Sequence, residues 1–219
     1  MIVGGVAGGA AVLLIAAVGV AVLSGSTTYG TLAEDRCEDI LFEEDFSSFG
    51  GGASVNIDGE YEENGGIADS HVLECSVSYG SAENYEHAVQ VLVEIHEAGS
   101  TGFEEAAEDM SDEVRDLESE LEPGELGRPS GSSDLVDTTG DAMWEHSSLG
   151  DEGVVMAMPS AGEYMPDMAA AFFREENAFF GIFAGQPASD DFDPETGIAD
   201  LEALGGQVHS SVQDVNESP

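Results

Sequence analysis

In the stretch HAVQVLVEIHEAGSTGFEEAAEDMSDEVRDLESEL, residues 87–121, the hydrophobic period changes within a few residues. Val89, Val91, Val93 and Ile95 share one parity, the mark of a strand with one buried face, although Leu92 interrupts the polar side. Gly99 ends the run. Thr101 with Glu104 then forms a capping box. Phe103, Ala106, Ala107, Met110, Val114, Leu117 and Leu121 follow at three- and four-residue steps. They describe an amphipathic helix with a heavily acidic outer face, stopped by Pro123-Gly124. A strand passing directly into a helix of this kind points to an α+β domain.

The flanking segments agree with it. On the N-terminal side, His71–Tyr79 reads as a strand, residues 53–70 as a weak strand and loop, and Cys37–Phe49 as a short helix ended by Gly50, Gly51 and Gly52. On the C-terminal side, residues 123–140 read as a loop and Asp141–His146 as a candidate strand. Leu149-Gly150-Asp151 is a turn into a strand at Glu152–Met158. Met168–Gly185 is read as a hairpin of Ala169–Arg174 and Ala178–Ala184 joined at Glu176-Asn177, not as one helix. Phenylalanines are dense there, and Gly181 and Gly185 suit helices poorly. Asp193-Pro194 opens a last helix with Ile198, Leu201, Leu204, Val208 and Val212 on one face, weakened in the middle by Gly205-Gly206. The order α-β-β-α-β-β-β-α predicts an antiparallel sheet packed by helices.

The ends differ sharply in character. Met1 to Ala33 carries no charge, and Ile2–Leu23 is almost wholly apolar. As a helix those 22 residues would be about 33 Å long, enough to span a hydrocarbon core. The favoured reading is an uncleaved single-pass anchor over residues 1–23, with the lipid bilayer as its partner. A signal peptide cleaved after Ser26 is the alternative. Residues 24–34 form a linker, 35–213 the folded domain and 214–219 a tail. About 190 residues beyond the leader suffice for one domain with its own core.

From Glu34 onward come all 46 acidic residues, four Arg and no Lys, for a net charge of −42. Self-repulsion of that size strains a compact domain in dilute buffer. At 1 M salt the Debye length falls to about 3 Å, which removes most of the strain. The composition is therefore read as halophilic, with diffuse cations as counter-ions. Nucleic acid is excluded as a direct partner because its phosphates are repelled.

Cys37 and Cys75 are the only cysteines. An even count behind an export segment reads as a disulfide; the other reading is two buried free thiols. Neither has a second Cys or a His at ligand spacing, so no metal site is expected.

No residue is singled out as catalytic, cofactor-binding or metal-ligating. His71, His87, His96, His146 and His209 are scattered, and His87 and His96 lie about 30 Å apart on one strand. Asp151-Glu152 is read as a solvated turn in preference to a reactive pair. The acidic runs Asp58, Glu60, Glu62, Glu63 and Asp190, Asp191, Asp193, Glu195 lack EF-hand spacing. Gly127-Arg128-Pro129-Ser130-Gly131 has the wrong spacing for a nucleophile elbow. Without Lys, Schiff-base chemistry is excluded.

Cys37 with Ile40-Leu41, Cys75-Ser76-Val77, Leu149-Gly150-Asp151-Glu152-Gly153, Arg174 and Asn177, and the C-terminal helix together resemble a known group. Over residues 35–213 the chain is similar to the small exported or lipid-anchored domains of unknown function in actinobacterial envelopes, with a PsbP-like α+β fold. Two features depart from it: Val77 stands where an aromatic is usual, and there is no lipobox Cys. The resemblance implies no catalytic residues. The function expected is that of a non-enzymatic, membrane-tethered extracytoplasmic domain binding a protein or a small ligand. A secreted or anchored hydrolase and a pilin-like assembly subunit are the alternatives.

Overall fold

The structure, a computed structural model, describes residues 29–30, 37–42, 46, 55–63, 70–79, 88–129, 140–159, 166–186 and 191–217. The expected anchor at Ile2–Leu23, most of the linker, His87 and Asp190 lie outside the described residues. Among the described residues no helix is long and apolar enough to cross a membrane.

The elements are α1 (Cys37–Ile40), β1 (Val55–Glu63), β2 (Ser70–Tyr79), β3 (Ala88–His96), α2 (Thr101–Glu120), β4 (Met143–His146), β5 (Glu152–Met158), β6 (Asp167–Glu175), β7 (Ala178–Gln186) and α3 (Pro194–Glu217). Among the described residues, seven strands form one sheet in the order β1-β2-β3-β7-β6-β5-β4, and every neighbouring pair is antiparallel. The fold is thus the expected α+β sheet packed by helices, with two strands more than the expected order. The additions are β1, read from sequence only as a weak strand, and β4, the candidate strand.

Alternation along the strands places a core on each face. Val89, Val91, Val93 and Ile95 of β3 join Leu73, Cys75 and Val77 of β2, Phe173 of β6 and Phe180 and Ile182 of β7. These are covered by Leu201, Leu204, Val208 and Val212 of α3 and by Ile40 beside it. On the opposite face α2 lays Val114 and Leu117 on Trp144, Val154, Met156 and Ala170. The indole Nε1 of Trp144 donates to the Leu121 carbonyl at 2.8 Å, supplying a donor to the exposed end of α2. Ser100, one residue before the expected cap, receives the Phe103 amide on its hydroxyl at 3.1 Å.

Two expectations need correction. The helix expected over Cys37–Phe49 is a single turn ending at Ile40. Phe46 is buried beyond it, edge-on to Tyr79, and residues 43–45 and 47–49 lie outside the described residues. Gly205-Gly206 lies inside an unbroken α3. A Cβ on Gly205 would meet Leu149 Cδ1 at 2.7 Å and Phe173 Cε1 at 3.4 Å, so the glycine lets the helix lie close on the sheet. α3 also runs to Glu217, past the expected domain end at 213.

Candidate functional site

The disulfide is formed. Cys37 and Cys75 are bonded with a Cα–Cα distance of 5.8 Å, and no cysteine is free. It joins the turn of α1 to the middle of β2. Gly59 of β1 lies opposite Cys75, and any Cβ there would overlap the Cys37 sulfur. The glycine inside the acidic run of β1 is thereby explained.

A cleft of about 380 Å³ opens between α2 and the β4–β5 turn. Ser111, Arg115 and Glu118 line one wall, and His146, Ser147, Asp151 and Glu152 the other. The Ser111 hydroxyl lies 2.8 Å from Glu152 Oε2 and 2.9 Å from the Ala107 carbonyl, donating to one at a time. Arg174 reaches Glu152 at 3.4 Å and Asp151 at 4.0 Å. His146 pairs with Glu118 at 3.3 Å, and Arg115 with Asp112. Asp151-Glu152, expected as a solvated turn, stands at the turn into β5 with Asp151 exposed, and forms part of a mixed-charge wall. The wall is braced from behind: Glu202 of α3 accepts from Ser147 Oγ and from the amide and hydroxyl of Ser148. Gly150 adopts φ 64°, and a Cβ there would collide with the Arg174 carbonyl, which accepts from the Asp151 amide at 2.7 Å.

Two polar clusters, one buried and one partly buried, lie at the same end of the sheet. The first is Glu94 and His96, 3 % and 1 % exposed, on the face of β3 turned toward α2. His96 packs against Phe179 of β7 and Phe103 of α2, with ring centroids at 5.3 and 6.3 Å. Its Nε2 lies 3.4 Å from Glu94 Oε1, without hydrogen-bond geometry. Burial pushes the Glu94 carboxyl up to about 7, against a hydrogen bond with Ser70 that favours ionisation. Burial pushes His96 down to about 4. Both groups therefore favour their neutral forms.

The second cluster holds Tyr29. Asn177, at the β6–β7 turn, accepts from the Tyr29 amide at 2.7 Å and donates to its carbonyl at 3.0 Å and to the His96 carbonyl at 2.6 Å. The Tyr29 hydroxyl donates to Glu175 Oε2, which also accepts from Gln213 at 2.9 Å and lies 2.6 Å from His209 Nε2. Burial alone would raise Glu175; the hydrogen bonds from Tyr29, His209 and Gln213 outweigh it and hold the carboxyl below its ordinary range. Burial and the Glu175 carboxylate push the Tyr29 phenol upward. His209 stands edge-on to the stacked pair Phe173 and Phe180. Tyr29 meets Phe180 the same way.

Of the five histidines, His96, His146 and His209 fall in these three places, and His71 lies in β2. Asp58, Glu60, Glu62 and Glu63 lie along β1, while Asp193 accepts from the Thr196 hydroxyl at the start of α3. No three His, Cys, Asp or Glu among the described residues are grouped to hold a metal. The sequence reading missed Tyr29 and the Glu94–His96 pair. Leu92 was the available signal for the pair, since a leucine on the polar parity of β3 says that its second face is covered too.

No family model and no curated protein matches the chain. Among solved structures it is similar to the extracellular domain of PknH from Mycobacterium tuberculosis, at 11% identity and a TM-score of 0.47, covering 87% of this chain and 100% of that one. It is also similar to a putative uncharacterized protein, the Rv0999 ortholog, from Mycobacterium smegmatis. There the identity is 11% and the TM-score 0.34, over 80% of this chain and 97% of that one.

Proposed function

We propose that this chain is a membrane-tethered, extracytoplasmic binding domain of a halophilic microbe, without an enzymatic activity of its own. The observation that carries the reading is the Cys37–Cys75 bond behind an apolar leader. Disulfides persist in oxidising compartments and are rare in the cytosol. Ile2–Leu23 supplies the anchor, and the acidic surface keeps the domain hydrated in brine. The resemblance to PsbP-like exported actinobacterial domains belongs to this proposal; it rests on Cys37, Cys75, Leu149–Gly153, Arg174 and Asn177.

The cleft between α2 and the β4–β5 turn is the place where a small ligand or a partner segment binds. Its walls carry charges of both signs, which suits a polar or charged ligand. His146 faces Glu118, Arg115 faces Asp112, and Glu152 faces Ser111 and Arg174.

The test is fractionation of native cells in molar salt, followed by a membrane-impermeant protease on intact cells and thiol counting under denaturing conditions. The expected result is a membrane-bound chain, digested from outside, with no free thiol. A chain recovered in the cytosol with two free thiols overturns the proposal. A pull-down in molar salt with the anchor retained then identifies the partner, and loss of capture by Arg115→Ala, on the α2 wall, places it at the cleft.

A further inference from the structure

Tyr29 stands only six residues beyond Leu23, and it is fixed to the domain. Its backbone N–H and C=O are both held by the Asn177 amide, its hydroxyl by Glu175, and the next amide, Gly30, donates to Asn216 Oδ1 at 2.7 Å. Tyr29 is 6 % exposed and Asn177 4 %. The chain thus enters the domain at a rigid point shared by β6, the β6–β7 turn and the last turns of α3.

Chain length does the rest. This step rests on the proposed anchor at Ile2–Leu23. Six residues, fully extended, reach about 20 Å. The headgroup layer takes about 6 Å of that. Tyr29 therefore stands within about 15 Å of the outer lipid surface. The strands are about 30 Å long, so the two ends of the sheet are not equivalent with respect to the bilayer. Register defines them. Ser70 pairs with His96, Glu152 with Arg174, and Glu175 with Ala178 at the Tyr29 end. Asp167 pairs with Gln186, and Gly127 bridges Ala142, at the other.

We propose that the Tyr29 clamp sets the domain upright on its anchor. The end of the sheet marked by Ser70, His96, Glu152 and Asn177 faces the lipid surface, and the end marked by Asp167, Gln186 and Gly127 faces away. The Asp151-Glu152 rim of the cleft then lies on the membrane-proximal half. A ligand reaches it along the bilayer surface and not from the distal tip.

The experiment uses the full chain in phosphatidylcholine vesicles in molar KCl, with an acceptor dye on the lipid headgroups. Donor dyes are placed singly on Glu97→Cys, exposed just after β3, and on Glu125→Cys, exposed beyond α2. Transfer from position 97 is expected to exceed that from 125 by roughly twofold or more, because a strand length of about 30 Å separates them. Asn177→Ala should bring the two efficiencies together while the chain still floats with the vesicles. If that variant loses its fold, Tyr29→Phe, which keeps the ring and both backbone bonds, should retain the difference between the positions. Equal transfer from 97 and 125 in the unaltered clamp, with the chain floating, overturns the orientation and leaves the tether standing. A chain that does not float overturns both.

Discussion

Asn177 and Tyr29, 148 residues apart, exchange two hydrogen bonds in which one side-chain amide satisfies both the N–H and the C=O of a single residue. The same amide also donates to the His96 carbonyl, so one buried side chain joins the entering chain, the β6–β7 turn and the end of β3. Asn177→Ala leaves several buried groups without partners, each worth about 1–3 kcal/mol. A loss of about 3 kcal/mol is expected by urea titration in molar salt. Asn177→Asp keeps the acceptor and turns a carboxylate toward two carbonyls, so it should cost more than the alanine.

Closing Cys37 to Cys75 removes entropy from an unfolded loop of sequence separation 38. The chain-entropy relation gives about 4 kcal/mol for such a loop. The double variant Cys37→Ser, Cys75→Ser should lose about that much unfolding free energy in urea titration, read as a lower midpoint at an unchanged slope. Reductant should do the same to the parent and nothing to the variant. A variant as stable as the parent would rule out the constraint as a source of stability.

The two cysteines were legible because counting suffices for them, and β3 with α2 because period and caps are local. The hairpin at Ala169–Ala184 was legible for a related reason, since its phenylalanines and glycines disfavour a helix wherever they lie. β1 was only half legible. Asn56 and Asp58 are exposed, and its strand state comes from pairing with β2 along nine residues, a non-local cause. The sites were less legible still. Glu94 and His96 on a strand read as solvent-facing until Phe103 and Phe179, from two other elements, are placed over them. Tyr29 sits in a small polar linker, and its partners among the described residues lie more than 140 residues away.

The Glu94–His96 pair gives opposite pH signatures. Glu94 has a folded value of about 7 against an ordinary 4.5, so between those values the unfolded state alone has lost its proton. Its contribution to stability therefore falls as pH rises from 4.5 to 7. His96 has about 4 against 6.5, so between those values only the unfolded state gains a proton. Its contribution rises with pH over that window. The two oppose each other, each with a slope of up to about 1.4 kcal/mol per pH unit. Relative to the parent, Glu94→Gln should gain stability as pH rises through the Glu94 window. His96→Phe, which keeps the ring packing, should lose it as pH rises through the His96 window. Parallel curves for parent and variants would show that neither group is held neutral by burial.

Gly205 and Gly206 should behave differently, although they are adjacent in one helix. A Cβ on Gly206 meets only Leu149 Cδ2 at 3.6 Å, ordinary contact. Gly206→Ala should then gain about 0.5–1 kcal/mol from helix propensity alone. Gly205 faces Leu149, Phe173 and Ile182 at once, so a bulky side chain there must push α3 off the sheet. Gly205→Leu should cost about 2–3 kcal/mol through overpacking. Thermal unfolding in molar salt separates the two, and equal effects at both positions would mean that the close approach of α3 at Leu149 does not constrain the helix.

Salt should act on the whole molecule. With a net charge of −42, charges farther apart than about 10 Å are screened at 0.1 M, whereas at 1 M the limit shrinks to about 3 Å. Nearly all repulsion between neighbouring acidic side chains lies between those distances, so the unfolding temperature should climb steeply over that range of KCl. The described arginines are already paired: Arg115 with Asp112, Arg128 with Asp141 and Arg174 with Glu152. These pairs weaken as salt rises, but the first two are exposed and worth less than about 1 kcal/mol each. Repulsion among the acidic residues therefore outweighs them, and stability should rise with salt. Replacing exposed acidic residues on the outer face of α2, such as Glu105 and Asp116, with their amides should flatten the salt dependence and raise stability most at the lowest salt. A salt dependence that those substitutions leave unchanged would mean that the response comes from ion-specific hydration and not from repulsion between carboxylates.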